Sequence, residues 1–470
     1  MKIREIVEKI KSKQITCVDV VEYYLKQIDE KNKDLNAILQ VFDDVLDNAK
    51  RIDEKVNNGE PLGKLAGVPI LIKDNILYKG KIASCASKFL KDYKAQYTST
   101  VVSKLLSEDA IIIGRANMDE FAMGGSNENS AFGPCKNAHD LTRVAGGSSG
   151  GSAVAVASGM VPCALGTDTG GSIRQPSSYN GVVGLKPTYG RVSRYGVVAF
   201  ASSLDQVGPI TQDVEDNALL LSVIAGHDLH DETTLKEPVE NFYDFCDKEN
   251  QQIKIGVIKQ VKELMGKNEK FLSLIDWLKD KGYQIVDVEV PNISLCLPVY
   301  YILAPAEATS NLGRFEGIKY SARAVDAVNI DEIYTKSRTN GFGKEVKRRI
   351  MLGNFVLSSG YFDAYYNKAK KIQQQIKKEF DLAFKMCDCI IMPTTYGEAF
   401  EIGAHSNPVD MYMEDMFTIP ANIASLPAIS IPYALGDNKL PLGVQLLANK
   451  LQEKTIYQLA SYIQNNREVK

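Results

Sequence analysis

Gly146-Gly147-Ser148-Ser149-Gly150-Gly151-Ser152, followed by Thr167-Asp168-Thr169-Gly170-Gly171-Ser172-Ile173-Arg174-Gln175-Pro176, carries the strongest message in this chain. Both stretches put hydroxyls on backbone that is nearly free of side chains, where a substrate carbonyl can come close to backbone N–H groups. Acyl-transfer chemistry is built that way. Upstream, Gly67-Val68-Pro69-Ile70-Leu71-Ile72-Lys73-Asp74-Asn75 ends a short apolar run, read as a buried strand, on a lysine. Desolvation lowers the pKa of such an ammonium, and a neutral lysine is a competent base.

A serine hydroxyl is a weak nucleophile until a neighbour takes its proton. Lys73, Ser148 and Ser172 therefore read as base, relay and nucleophile. Neutral Lys73 accepts a proton through the Ser148 hydroxyl, which both donates and accepts. Ser172 then attacks an amide carbon while the N–H groups around Thr169, Gly170 and Gly171 hold the oxyanion. The nitrogen leaves as ammonia, and water cleaves the acyl-enzyme.

Three other readings compete for the same residues. Gly147-Ser148-Ser149-Gly150-Gly151 satisfies G-x-S-x-G, which would make Ser149 a nucleophile on a strand-to-helix elbow. That arrangement needs a later histidine, and His227, His230 and His405 all lie in polar, loop-like sequence, while His139 comes too early. A phosphate loop is disfavoured because no G-x-x-x-x-G-K-[ST] occurs and no ribose-binding G-x-G-x-x-G context is present. The third is purely structural: glycines that let a helix pack tightly on a sheet.

Outward from these motifs the texture is α/β. From residue 66 to about 225, short apolar runs such as Ala110-Ile111-Ile112-Ile113-Gly114 alternate with glycine turns and helices, which predicts a mostly parallel sheet covered on both faces. Thirteen of the 35 glycines fall between Gly146 and Gly208, interleaved with apolar strands as tight backbone around a site would require. Residues 1–65 read as a helical segment, with Ile3, Ile6, Val7 and Ile10 on one face and Thr16 as an N-cap. Residues 226–470 read as the remainder of the same domain. There, Ile253–Ile258 and Tyr283–Val288 flank a helix carrying Leu272, Leu274, Ile275 and Leu278, a βαβ unit. Helices follow to about Phe384, then strands at Ala428–Tyr433 and Gly443–Leu447 and a last helix from Glu453.

Composition narrows the function classes. A net charge of −3 argues against a nucleic-acid-binding domain, and the basic run Lys344-Glu345-Val346-Lys347-Arg348-Arg349 reads mostly as a solvated helix face. Eight cysteines without a CxxC pair give no metal site or disulfide framework, so a reducing, cytoplasmic setting is expected. The charged, amphipathic N-terminus is unlike a signal peptide, and no apolar run is long enough to span a membrane.

With these motifs together the chain resembles the amidase signature family over nearly its whole length. The resemblance implies a single large α/β domain with a central, mostly parallel mixed sheet. It also implies a Ser–cis-Ser–Lys triad at Ser172, Ser148 and Lys73, with a cis peptide between Gly147 and Ser148. The outer motifs Asn117–Gly124, Gly343–Ile350 and Ser359–Tyr366 resemble the branch whose members hydrolyse glutamine as one component of a tRNA-dependent amidotransferase. That branch implies delivery of ammonia to a partner that converts Glu-tRNA(Gln), with Asp-tRNA(Asn) left open as a second target. The implied partners are the B and C subunits, which would hold the misacylated tRNA, ATP and Mg, leaving no cofactor in this chain. Glutamine needs an anchor for its α-carboxylate, which an arginine fork suits. The resemblance places it at Arg349, with Arg348 as alternative, the ammonium partner at Asp415, and Tyr300 or Tyr301 in the pocket. Arg174 is expected to brace the nucleophile loop. A stand-alone amidase for small or acyl amides, and a catalytically silent assembly component, remain as alternatives.

Overall fold

The computed structural model describes residues 1–265 and 268–468; residues 266, 267, 469 and 470, which fall in the expected segment 226–470, lie outside them. Among the described residues, eleven strands form one sheet: β1 (Ile38–Val41), β2 (Pro69–Lys73), β3 (Ile111–Ala116), β4 (Cys163–Asp168), β5 (Val183–Lys186), β6 (Gln206–Thr211), β7 (Lys254–Ile258), β8 (Gln284–Val288), β9 (Cys389–Pro393), β10 (Ala428–Leu435) and β11 (Pro441–Ala448). Their order is β1-β3-β2-β4-β6-β5-β10-β11-β9-β7-β8. β2, β3 and β4 are buried along their whole length, which is why they read as continuous apolar runs.

The sheet is mixed, but its parallel share is smaller than expected. β3-β2-β4 and β9-β7-β8 pair in parallel at its two ends, and every pairing from β4 through β6, β5, β10 and β11 to β9 is antiparallel. The cause lies in the connections. β10 returns as β11 through the short turn 436–440, too few residues for the helical crossover that a parallel pair needs. β1 also departs from expectation: it interrupts the helical N-terminal segment and pairs antiparallel with β3.

Helices cover both faces. Alternate residues of one strand enter different apolar cores: Cys389 and Ile391 of β9 join one, Ile390 and Met392 the other. The first core takes the N-terminal helices, where Ile3, Ile6, Val7 and Ile10 are buried and Thr16 caps Cys17–Leu35 by accepting from the Asp19 N–H at 3.0 Å. Such a cap is worth about 1 kcal/mol. The second takes the helices Cys296–Asn311 and Lys344–Leu357. The βαβ unit is present as β7, the helix Glu269–Asp280 and β8, with β7 and β8 parallel. All eight cysteines are free and buried.

Candidate active site

β2 and β4 are parallel neighbours, so the loops leaving their carboxyl ends start side by side. Lys73 is the last residue of β2. Asp168 ends β4, and the chain then runs through Ser172 into the helix Arg174–Asn180. Ser148 and Ser149 lie just ahead of the helix Gly150–Ala157, and the Ser149 N–H donates to the Ser172 carbonyl at 3.0 Å. The Gly147–Ser148 peptide is cis.

Lys73 has no exposed surface. Its Nζ lies 2.7 Å from Ser148 Oγ, 2.9 Å from Ser149 Oγ and 2.9 Å from Thr167 Oγ1. Burial drives its pKa down to about 7, although the carboxylates of Asp119, Asp168 and Asp205 act to raise it. The hydroxyls divide their roles. Ser149 Oγ donates to the Thr167 carbonyl at 3.1 Å, so its hydrogen is occupied. Ser148 Oγ has Lys73 as its partner, which leaves its hydrogen available to the lone pair of a neutral amine. Ser172 is 8% exposed, and its hydroxyl bonds to no other described residue.

Ser149, Thr167 and Asp119 join the expected triad. The motif marks Ser149 only as a nucleophile, yet in the structure its hydroxyl is shared by Lys73 and Thr167 with no histidine beside it. Asp119 is fully buried, held by the N–H groups of Asn127 and Asn129 at 2.9 and 3.1 Å, and burial pushes its pKa up to about 6. It also explains Gly147: a Cβ there would stand 2.0 Å from Asp119 Oδ2.

The expected oxyanion loop is only partly free. The Gly171 N–H donates to Asp168 Oδ1 at 2.9 Å and the Ile173 N–H to Oδ2 at 3.2 Å, whereas the N–H groups of Thr169 and Gly170 have no acceptor among the described residues. Burial alone would raise the pKa of Asp168, but the charge and hydrogen bonds of Arg174 hold it at about 2. Arg174 is itself buried and spent on this bracing. It reaches both Asp168 oxygens at 3.1 Å, the Thr418 carbonyl and Gln445 Oε1 at 2.9 Å, and Asn422 Oδ1 at 2.6 Å.

A polar cluster faces this loop from the second core. The Tyr300 ring covers Gly170, where a Cβ would come within 2.7 Å of it. Tyr301, next on the same helix, donates from its hydroxyl to Asp415 Oδ2 at 2.9 Å and stacks on Tyr412 at 4.0 Å. Arg349 is buried, its guanidinium 5.3 to 5.5 Å from the rings of Tyr301, Phe200 and Tyr412. Its Nε donates to Glu345 Oε1 at 2.8 Å, and its two Nη groups have no acceptor among the described residues. Arg348 points outward, half-exposed, and pairs with the other Glu345 oxygen. Burial pushes Asp415 up to about 7, and the Tyr301 hydroxyl and the Arg349 charge only partly offset this. Tyr300 thus borders the nucleophile loop, Tyr301 joins Asp415 to the rings around Arg349, and of the two arginines only Arg349 is buried among them. Phe200, Tyr412 and Glu345 complete the surroundings of Arg349; of these only Glu345, inside the quoted basic run, sits in a stretch the sequence marks out.

A buried lysine on a cis serine, a second serine on a glycine loop and a brace of Asp168 and Arg174 define an amidase. The chain belongs to the Amidase family, whose model matches residues 19–457. It is 48% identical over 465 residues, 97% of this chain and 94% of the relative, to the A subunit of the glutamyl-tRNA(Gln) amidotransferase of Thermoanaerobacter pseudethanolicus. Among solved structures it is similar to the A subunit of the glutamyl-tRNA(Gln) amidotransferase of Thermotoga maritima, with 39% identity, 96% and 95% of the two chains covered and a TM-score of 0.81. It is also similar to the peptide amidase of Stenotrophomonas maltophilia, with 25% identity, 100% and 97% covered and a TM-score of 0.85.

Proposed function

We propose that this chain is the glutamine-hydrolysing component of a tRNA-dependent amidotransferase. One observation carries the chemistry: a buried Lys73 Nζ, titrating near neutrality, 2.7 Å from the hydroxyl of Ser148. As Ser172 Oγ attacks the side-chain amide carbon of glutamine, its proton passes to Ser148 Oγ and the Ser148 proton to Lys73. The C–O bond forms as the carbonyl π bond opens, and the oxyanion meets the free N–H groups of Thr169 and Gly170. Gly171 contributes by its conformation, since its N–H is held by Asp168. Collapse breaks the C–N bond, the leaving nitrogen takes the proton back from Lys73 through Ser148, and ammonia departs. Water, deprotonated along the same relay, then cleaves the glutamyl ester and frees Ser172.

The substrate reading rests on charge. Arg349, its Nη groups unpaired, suits the α-carboxylate, and Asp415 suits the α-ammonium, with Tyr300 closing the pocket over Gly170. An acyl amide without these charges would leave the Arg349 Nη groups and the second Asp415 oxygen without a partner, which disfavours a stand-alone acyl amidase. The likeness to two amidotransferase A subunits supports membership of an assembly with B and C subunits. There the partner would hold ATP, Mg and the misacylated tRNA, Glu-tRNA(Gln) or Asp-tRNA(Asn), in the cytoplasm, with no cofactor in this chain. Among the described residues no helix is long and apolar enough to cross a membrane.

The test is ammonia release from glutamine by the purified chain, alone and with its co-expressed partners, with and without misacylated tRNA. Partner-dependent glutaminase activity that disappears in Ser172→Ala is expected. Equal activity in Ser172→Ala overturns the nucleophile, and amide cleavage indifferent to partners and to the α-amino and α-carboxyl groups of the substrate overturns the reading of the chain as part of an assembly.

A further inference from the structure

On the outer side of segment 197–199, which leads into Phe200, two cavities of about 270 and 600 Å³ share Tyr93 and Tyr320 and so form one groove. Its inner part is apolar, with Leu90, Val198, Tyr97 and Phe315 among its walls; the Tyr320 ring lies 6.1 Å from Tyr93 and 5.8 Å from Phe315. Its rim is basic. Lys91, Lys94, Lys319 and Arg314 line it against a single acid, Asp92, which sits 3.8 Å from Lys91. Arg314 uses its Nε on the Asn311 carbonyl at 2.9 Å, and its remaining N–H groups have no acceptor among the described residues.

The chain continuing from this groove exposes more apolar surface than a solvated loop needs. Within 318–334, Val325 is 101% exposed and Val328 83%, and Ile318, Ile330 and Tyr334 are also open. Apolar side chains concentrated beside a concave, aromatic-lined groove mark a surface that something covers. We infer that the groove binds an acidic segment of a partner polypeptide, with one or two apolar side chains seated among Tyr93, Tyr97, Phe315 and Tyr320 and its carboxylates on the basic rim. RNA fits less well. The exposed Val325, Val328 and Ile330 beside the groove give a phosphate backbone nothing to bind, and Asn311, the one amide in the inner cavity, already donates to the Phe200 carbonyl at 3.1 Å and to Ser202 Oγ at 3.2 Å. The four cations supply what carboxylates require, and electrostatic complementarity of this kind sets partner choice and association rate.

This inference rests on the proposed assembly, because it needs a partner chain to exist. The experiment uses the assembled complex carrying Tyr320→p-benzoylphenylalanine, with the captured residue mapped by mass spectrometry. Affinities of the wild type, Arg314→Glu/Lys319→Glu and Lys91→Glu/Lys94→Glu for the partners are compared, each variant checked for an unchanged melting temperature. Expected are a crosslink into an acid-rich stretch of a partner chain, a Kd raised about tenfold or more by the charge reversals, and a wild-type Kd that weakens as salt rises. A complex that assembles with unchanged Kd in both folded reversals, or that crosslinks at position 320 to RNA or to nothing, overturns the groove and leaves the glutaminase reading standing. A chain that forms no complex with any partner brings down the assembly reading itself, and the groove with it.

Discussion

Replacing Lys73 by methionine separates the cost of burying this lysine from its use. In the unfolded chain the amine titrates near 10.5, and in the folded chain near 7 because burial disfavours the ammonium. Between those values the unfolded chain binds more protons than the native one, so stability rises with pH across that window. The penalty is complete below pH 7 and gone above pH 10.5. With those two values linkage puts it at about 4 kcal/mol at pH 7 and about 2 kcal/mol at pH 9. Lys73→Met removes the titration while keeping an unbranched side chain of similar length. It also strands the Ser148 hydroxyl, at about 1–3 kcal/mol, while Thr167 Oγ1 keeps the Asn75 amide at 3.1 Å; that loss does not vary with pH in this range.

Urea unfolding of both proteins at pH 7, 8 and 9 measures the difference directly. The wild type is expected to gain about 2 kcal/mol on Lys73→Met between pH 7 and pH 9. A second measurement must agree with the first. Glutaminase kcat/KM should rise with pH through about 7, because Lys73 has to be neutral to take a proton. Asp415, also near 7 before substrate binds, has to be ionised and sharpens the same limb; Asp415→Asn should leave Lys73 alone on it. A stability difference that stays flat to within about 0.5 kcal/mol, together with a rate profile lacking the rise, refutes the neutral-lysine argument.

Other perturbations read the remaining parts of the site. Ser172→Ala should leave the melting temperature unchanged while abolishing ammonia release and acyl-enzyme trapping by mass spectrometry. Arg349→Lys should raise the glutamine KM by about 10–100-fold with a smaller effect on kcat, since a point charge replaces a fork held among three rings; Arg348→Lys should change neither. Gly147→Ala drives a methyl onto Asp119 and should cost about 1–3 kcal/mol in urea unfolding along with most of the activity. Arg174→Met leaves the Asp168 carboxylate buried without its cation, an expected loss of about 3–5 kcal/mol.

The parts of the fold and site that are legible in the sequence are those whose physics is local. Thr16 stands just ahead of a helical run, so it reads as an N-cap without knowing what the helix packs on; the reciprocal bond from the Thr16 N–H to Asp19 appears in the structure. Lys73 closes an apolar run, and a lysine there has few ways to avoid losing water. The two glycine-serine loops announce tight backbone. What cannot be read depends on contacts far along the chain. The antiparallel centre follows from where β5, β6, β10 and β11 find partners, and periodicity predicts strands without their direction. The box around Arg349 draws Phe200, Tyr301 and Tyr412 from three separate segments. Phe200 and Tyr412 carry no local mark, and Tyr301 enters only through the family resemblance.

The oxyanion loop shows why glycine density alone does not say which N–H groups are open. Three positions, 169 to 171, look equivalent in the sequence because each offers accessible backbone. Asp168 breaks the equivalence. Its two oxygens accept from the N–H groups of Gly171 and Ile173, which turns the start of the helix Arg174–Asn180 back toward the strand and leaves only the N–H groups of Thr169 and Gly170 without an acceptor among the described residues, Gly170 beneath the Tyr300 ring. Asp168 can do this while buried only because Arg174 neutralises it, and Arg174 can stay buried only because Thr418, Asn422 and Gln445 take its other donors. Thr418 in turn donates from its hydroxyl to the Gly170 carbonyl at 2.7 Å, three residues past the carboxylate proposed to hold the substrate ammonium. The loop that would stabilise the oxyanion and the segment that would recognise the amino acid are therefore set by one hydrogen-bonded network, so a change at Arg174 should disturb glutamine binding and turnover together.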